Sequence, residues 1–148
     1  MRSSGSLKCA SNVEAKHGAK IRGSANIILN LETEGYVDIK GGAKIGGNVT
    51  GVDISFDQHK WYAFWYWTSY IISFWRIFRK AYEIGGSIIA KNTVVINCTH
   101  VAGDIKARAV TLRRFTKVDG TVYYVDECIV HKKAELANQP VRIALEEL

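Results

Sequence analysis

The stretch GSIIAKNTVVINCTHVA (86–102) is followed directly by GDIKARAVTLRRFTKVD (103–119) and GTVYYVDECIVHKKAELA (120–137). Each segment begins with glycine, and the three segments are nearly equal in length. A short unit that repeats in sequence usually becomes a short unit stacked in space. This repeat therefore indicates the architecture before any single residue is interpreted.

A motif recurs around these glycines: a small, an aliphatic, a glycine and an apolar residue, at every second position. Its copies are Ala19-x-Ile21-x-Gly23-x-Ala25, Ala43-x-Ile45-x-Gly47-x-Val49, Thr99-x-Val101-x-Gly103-x-Ile105 and Thr116-x-Val118-x-Gly120-x-Val122. Residues two apart share one side of a strand, and glycine suits tight corners. The motif predicts an all-β, single-stranded β-solenoid of about six coils of about 17–18 residues. An antiparallel sandwich also alternates and turns at glycine, but it does not explain the constant spacing.

The whole chain, 1–148, is predicted to be one solenoid domain with a C-terminal tail at 138–148. Two spans are longer than a coil. The span from Gly23 to Gly47 is modestly longer, and we expect a surface loop around residues 32–35 to absorb the excess. The span from Gly47 to Gly86 is more than twice the length of a coil, which predicts an insertion at 57–83, DQHKWYAFWYWTSYIISFWRIFRKAYE.

The insertion holds all four tryptophans of the chain, and it contains no glycine, proline or asparagine after Gln58. This composition predicts a continuous amphipathic helix with a broad aromatic face. The uncharged run 61–75 would reach only about 22 Å as a helix, short of the roughly 30 Å of a bilayer core, so we expect contact with a membrane surface rather than a span. Packing on the solenoid or against a partner chain remains an alternative. The predicted membrane-contact residues are Lys60, Trp61, Phe64, Trp65, Trp67, Ile71, Phe74, Trp75, Arg76, Phe78, Arg79 and Lys80.

The charge and the reactive side chains give little sign of catalysis. The 20 basic and 14 acidic residues give a net charge of +6, which favours anionic surfaces, but no nucleic-acid motif accompanies it. The histidines at 17, 59, 100 and 131 occupy unrelated positions of the repeat, so we expect no catalytic, cofactor-binding or metal-binding residues and no small-molecule substrate. An odd number of cysteines and the lack of an early apolar run predict a cytoplasmic protein with reduced thiols.

The stretch 85–137, with its "V-x-G-D-I-x-A" cadence, resembles the bactofilins, polymer-forming cytoskeletal proteins of bacteria. The segments GAKIRGSANI and GGAKIGGNVTG are similar but looser. The resemblance implies a right-handed β-helix, nucleotide-free filaments assembled through the end coils, association with the inner face of the cell membrane, and a role in cell shape or in localising cell-wall enzymes. An insertion inside the solenoid departs from that family.

If solenoids assemble end to end, we expect the apolar residues of the first and last coils to form the contact. The predicted self-assembly residues are Leu7, Val13, Ile21, Val122, Val130 and Leu136. Two other interpretations remain open. One is a left-handed β-helix enzyme of the acyltransferase or carbonic-anhydrase type, and the other is a membrane-surface scaffold that does not polymerise.

Overall fold

The computed structural model describes residues 1–56 and 82–148. These residues form fifteen strands and one short 3-10 helix: β1 (Arg2–Ser3), β2 (Leu7–Cys9), β3 (Val13–Ala15), β4 (Gly18–Ile27), β5 (Leu31–Thr33), β6 (Tyr36–Ile45), β7 (Val49–Phe56), β8 (Tyr82–Ile84), β9 (Ile88–Ile96), β10 (Thr99–Val101), β11 (Ile105–Leu112), β12 (Lys117–Val118), β13 (Val122–Val130), β14 (Glu135–Leu136), β15 (Val141–Arg142) and η1 (Leu145–Glu147).

Every pairing between these strands is parallel, and each strand pairs with the strand one coil away in the chain. The chain therefore winds as a β-solenoid of about six turns, which confirms the predicted fold class.

Each coil contributes strands to three faces. Face A contains residues 7–9, 25–27, 43–45, 82–84, 99–101, 117–118 and 135–136. Face B contains 13–15, 31–33, 49–51, 88–90, 105–107, 122–124 and 141–142. Face C contains 2–3, 18–21, 36–39, 53–56, 93–96, 109–112 and 127–130.

The core is a column of side chains that repeat the same position in successive coils. On face C the register stacks one fully buried residue per coil: Ile21, Ile39, Phe56, Ile96 and Leu112. Burying each such side chain stabilises the fold by roughly 1.5–3 kcal/mol. Because the neighbouring coils provide the burial, no coil is stable alone.

The N-terminal coils have a different register from the one the motif predicts. Ile21 pairs with Ile39, and Ala25 pairs with Ala43, so the repeat here runs from Gly23 to Gly41 rather than to Gly47. The predicted surface loop around residues 32–35 is wrong, since 31–33 form β5 and pair with β3 and β7. The cause is that Gly23 and Gly47 stand at different corners of the coil, although the residues around them match the same motif.

Two predicted boundaries also need correction. The insertion ends before residue 82, because Tyr82 begins β8 and pairs with Ala43 on one side and Thr99 on the other. Part of the predicted tail at 138–148 continues the solenoid, since β15 pairs with β13. The predicted helix itself falls on residues 57–81, outside the described part of the chain.

A ladder of side-chain hydrogen bonds joins the coils at the corner between faces A and B, which we name the A–B corner. In each step a side-chain oxygen accepts a hydrogen bond from a backbone N–H of the next coil, at 2.7–3.2 Å. The ladder runs through Asn12, Asn30, Asn48, Ser87, Asp104 and Thr121. Glycine stacks beside it because space is short: a Cβ on Gly103 would lie 2.8 Å from the backbone carbon of Gly86.

The two residues that bracket positions 57–81 meet in the core. The rings of Phe56 and Tyr82 stack with centroids 5.4 Å apart and planes 16° from parallel. The Tyr82 hydroxyl donates a hydrogen bond to the Ile39 carbonyl at 3.0 Å and accepts one from the Gly41 N–H at 3.3 Å. The neighbouring coils carry a smaller residue at this position of face A, such as Ala43. The core therefore fastens the chain on both sides of 57–81.

Removing the Tyr82 hydroxyl should measurably destabilise the solenoid. We expect Tyr82→Phe to lower the free energy of unfolding by about 1–2 kcal/mol, because the buried hydrogen bond to the Ile39 carbonyl and the partly buried one from the Gly41 N–H are lost. Tyr82→Ala should cost about 3–5 kcal/mol through the cavity it leaves. Urea unfolding followed by circular dichroism measures both. Tyr123→Phe, on the outer side of β13, is the matched control and should change stability little; an equal loss in both Phe variants would contradict the assigned role.

Candidate functional site

The two end coils differ from the rest of the solenoid in how well they bury their apolar side chains. Partly buried hydrophobic residues that pack against the core lie in the first and last coils: Leu7, Cys9, Tyr124, Cys128, Ala134 and Leu136. Among the described residues, no strand pairs with the outer edges of β2, β3, β14 or β15. Each end therefore presents apolar side chains together with unpaired backbone N–H and C=O groups.

The six predicted self-assembly residues fall at different depths. Leu7 and Leu136 are half-buried in the end coils, and Val130 is 39% exposed at the end of β13. Val13 belongs to the first coil but is only 8% exposed. Ile21 and Val122 are fully buried. These last two do not lie at an exposed end: Ile21 pairs with Ser3 and Ile39, and β15 covers the strand that contains Val122.

Four further end residues were not among the predicted self-assembly residues: Cys9, Tyr124, Cys128 and Ala134. Each stands two positions from a predicted residue in the same strand or turn, and residues two apart share one side of a strand. Applying that rule to Leu7, Val122, Val130 and Leu136 would have found all four. The spacing of two residues therefore pointed to these positions, but their side chains are small or partly polar and were not chosen as apolar end residues.

The corner between faces C and A, the C–A corner, carries Lys or Arg in four of its described segments and no acidic residue. It comprises residues 4–6, 22–24, 40–42, 97–98, 113–115 and 131–133, and positions 57–81 occupy the same place in the order of the chain. The six described segments contain Arg22, Lys40, Arg113, Arg114, Lys132 and Lys133, and they contain no Asp or Glu. By contrast, no Lys or Arg occurs in the seven segments of the A–B corner, which are residues 10–12, 28–30, 46–48, 85–87, 102–104, 119–121 and 137–140. Winding thus separates one corner that carries several Lys and Arg residues from another that has none.

An exposed aromatic ring lies within this basic edge. Phe115 is 56% exposed and has a φ of 57°, a conformation that non-glycine residues rarely adopt. The Lys133 ammonium lies 5.5 Å from the centroid of its ring, within cation–π range. An aromatic ring beside several cations is the combination that suits the boundary between water and anionic headgroups.

The twelve predicted membrane-contact residues all fall within 57–81, outside the described residues: Lys60, Trp61, Phe64, Trp65, Trp67, Ile71, Phe74, Trp75, Arg76, Phe78, Arg79 and Lys80. In the described ranges 1–56 and 82–148, no helix has the length and apolar character needed to cross a membrane.

The three described histidines lie apart from one another. His17 is at a corner between faces B and C, His131 is at the C–A corner, and His100 is on face A. The imidazole Nε2 of His100 lies 2.7 Å from an oxygen of Asp119, and Lys117 lies 3.3 Å from the same carboxylate. Both contacts lower the pKa of Asp119, and the hydrogen bond with His100 has the larger effect. Within 1–56 and 82–148, no cluster of three or more His, Cys, Asp or Glu is placed to hold a metal ion.

No protein-family model, no curated protein and no solved structure matches this chain.

The two end-coil cysteines should differ in reactivity. A hydrogen bond with the Ser11 hydroxyl, at 3.4 Å, lowers the pKa of Cys9, whereas burial raises the pKa of Cys128. Because the thiolate is the reactive form, we expect iodoacetamide to modify Cys9 faster and with a lower pH midpoint than Cys128 in dilute protein. Mass spectrometry of the labelled peptides measures both rates. Equal rates and midpoints would contradict the two environments described here.

Proposed function

We propose that this chain is a bactofilin-like structural protein, not an enzyme, that assembles end to end into filaments without nucleotide. In this proposal it associates with the inner face of the cell membrane and serves as a scaffold in cell shape or in the localisation of other proteins, such as cell-wall enzymes. The observation that carries the proposal is that the partly buried apolar side chains that pack against the core all lie in the two end coils, whose strand edges are unpaired.

Unpaired strand edges are templates for another chain. A second copy has coils of nearly the same length and the same three faces, so it can continue the parallel ladders at the usual spacing of about 4.8 Å. Half-exposed side chains such as Val130 and Leu136 would then become fully buried, each adding roughly 1 kcal/mol. Contacts between ends do not close into a ring, so repetition extends a filament.

Electron microscopy of the purified protein tests the assembly. We expect filaments from the native chain and none from Val130→Lys, since a charge at the end of the core column cannot be buried without a partner. Ile129→Lys is the matched control, because Ile129 is adjacent in the same strand but points outward and is 49% exposed. Circular dichroism must show both variants folded. Filaments from folded Val130→Lys protein would exclude the end contact, and so would a native chain that remains monomeric at high concentration.

The cysteines provide a second measurement on the same filaments. End-to-end contact should slow the alkylation of Cys9 and Cys128, which lie in the end coils, and leave Cys98 at the C–A corner unchanged. Protection of Cys98 alone would instead indicate lateral contact between solenoids.

Membrane association is supported by the basic C–A corner and by the composition of 57–81. Anionic lipid contributes about 1 kcal/mol for each basic residue close to the surface. Fully buried Trp, Phe or Ile side chains contribute roughly 1.5–3 kcal/mol each, and somewhat less at an interface. The aromatic residues of 57–81 would therefore dominate the affinity, and the corner would orient the solenoid with that edge towards the lipid.

Replacing residues 57–81 by Gly-Ser-Gly should separate folding from membrane binding. Equally short connections join faces C and A at 40–42 and 113–115, so we expect a folded solenoid that no longer sediments with liposomes. Lys132→Gln with Lys133→Gln, in the intact chain, should weaken only the binding to anionic vesicles at low salt. A deletion variant that unfolds, or that still sediments with liposomes, would contradict the membrane role.

A further inference from the structure

A cavity of about 320 Å³ opens on face C in the N-terminal coils. Its lining consists of charged and hydroxyl side chains: Arg2, Ser3, Ser4, Lys20 and Arg22. The strands β1 and β4 that carry them are paired, with Arg2 directly opposite Lys20. Lys20 and Arg22 are two residues apart in β4, so both point to the same side of the sheet.

The register places like charges opposite each other at two adjacent points. Arg2 faces Lys20 across β1 and β4, and Arg22 faces Lys40 across β4 and β6. Neighbouring strands are about 4.8 Å apart, and like charges directly opposite are destabilising. Such an arrangement costs stability in the folded chain unless an anion neutralises it.

The carboxylate of Asp38 lies close to two of these four cations, Lys20 and Lys40. An oxygen of Asp38 lies 3.5 Å from the Lys20 ammonium and 3.9 Å from the Lys40 ammonium. Within the described part of the chain, neither Arg2 nor Arg22 forms a side-chain hydrogen bond or an ion pair. Two exposed guanidinium groups thus line the cavity without a partner among the described residues.

We propose that this cavity binds the phosphate group of a phosphomonoester. Guanidinium groups present paired N–H donors that match the oxygens of phosphate, and a dianion would offset both like-charge pairs. The hydroxyls of Ser3 and Ser4 supply further donors in the lining. The same chemistry is offered by a soluble phosphate compound and by a lipid headgroup with a terminal phosphate. The proposal is independent of filament formation.

Titration with inorganic phosphate tests the site. In the full-length protein at constant ionic strength, phosphate should raise the melting temperature above the value in chloride, and calorimetry should give a saturable isotherm. Arg2→Gln with Arg22→Gln should weaken binding at least about tenfold, since two charge-assisted contacts are lost. The matched control is Lys16→Gln with Lys91→Gln, which removes the same charge from exposed positions that do not line the cavity.

A conservative pair and two vesicle types complete the test. Arg2→Lys with Arg22→Lys keeps the charge and loses the paired donors, so binding should fall between the native chain and the glutamine pair. Sedimentation with phosphatidylcholine vesicles containing phosphatidate, against vesicles with phosphatidylserine at equal surface charge, separates the two sources. A preference for phosphatidate that the glutamine pair abolishes identifies a headgroup, and phosphate binding without that preference identifies a soluble ligand.

Equal losses in the arginine pair and the lysine control would overturn the site, because they would show general attraction of anions to a basic chain. Failure of phosphate to bind the native protein would overturn it as well. Neither result affects the electron microscopy of the filaments, so the two proposals stand or fall separately.

Discussion

The parallel register between successive coils is the constraint on which the rest of this structure depends. Ile21, Ile39 and Ile96 are buried because each lies over the equivalent position of the neighbouring coil. A slip of one residue would turn such a column outward and expose it. The A–B corner reinforces the register, because the side-chain oxygen of Asn30 can accept a hydrogen bond from the Asn48 N–H of the next coil only when the coils are aligned. Side-chain and backbone hydrogen bonds thus specify the same stacking.

This stacking converts positions in a repeat into long edges of the molecule. Basic residues separated by one coil length become neighbours at the C–A corner, and the A–B corner becomes free of Lys and Arg. The same geometry separates His17, His100 and His131, which lie on different sides of the coil. A solenoid of this kind offers edges, faces and two ends as surfaces, and this chain has a distinctive example of each: the basic C–A corner, the cavity on face C and the partly buried apolar side chains of the end coils.

The pair formed by Phe56 and Tyr82 explains how the core tolerates the addition of residues 57–81 at one corner. The chain leaves face C at a buried ring and returns to face A at another, and the two rings stack on each other. Tyr82 fills a place where the neighbouring coils have Ala or Thr, and its hydroxyl satisfies the backbone of Ile39 and Gly41. The coils on either side therefore remain paired through β6, β8 and β10 as if no residues had been added.

The sequence alone determined the all-β solenoid, because in the C-terminal half the glycines at 86, 103 and 120 repeat at one coil length and mark the same corner. It also indicated that the chain has an addition after residue 56, since the span from Gly47 to Gly86 exceeds two coils. Only the tertiary structure decided the register of the N-terminal half, the place of Tyr82 in the core, the four additional end residues and the clustering of Arg2 and Arg22. The physical reason is that apolar residues alternate in the same way on all three faces and glycine suits every corner. Local pattern therefore reveals that the chain coils, but pairing between coils decides which residues become neighbours.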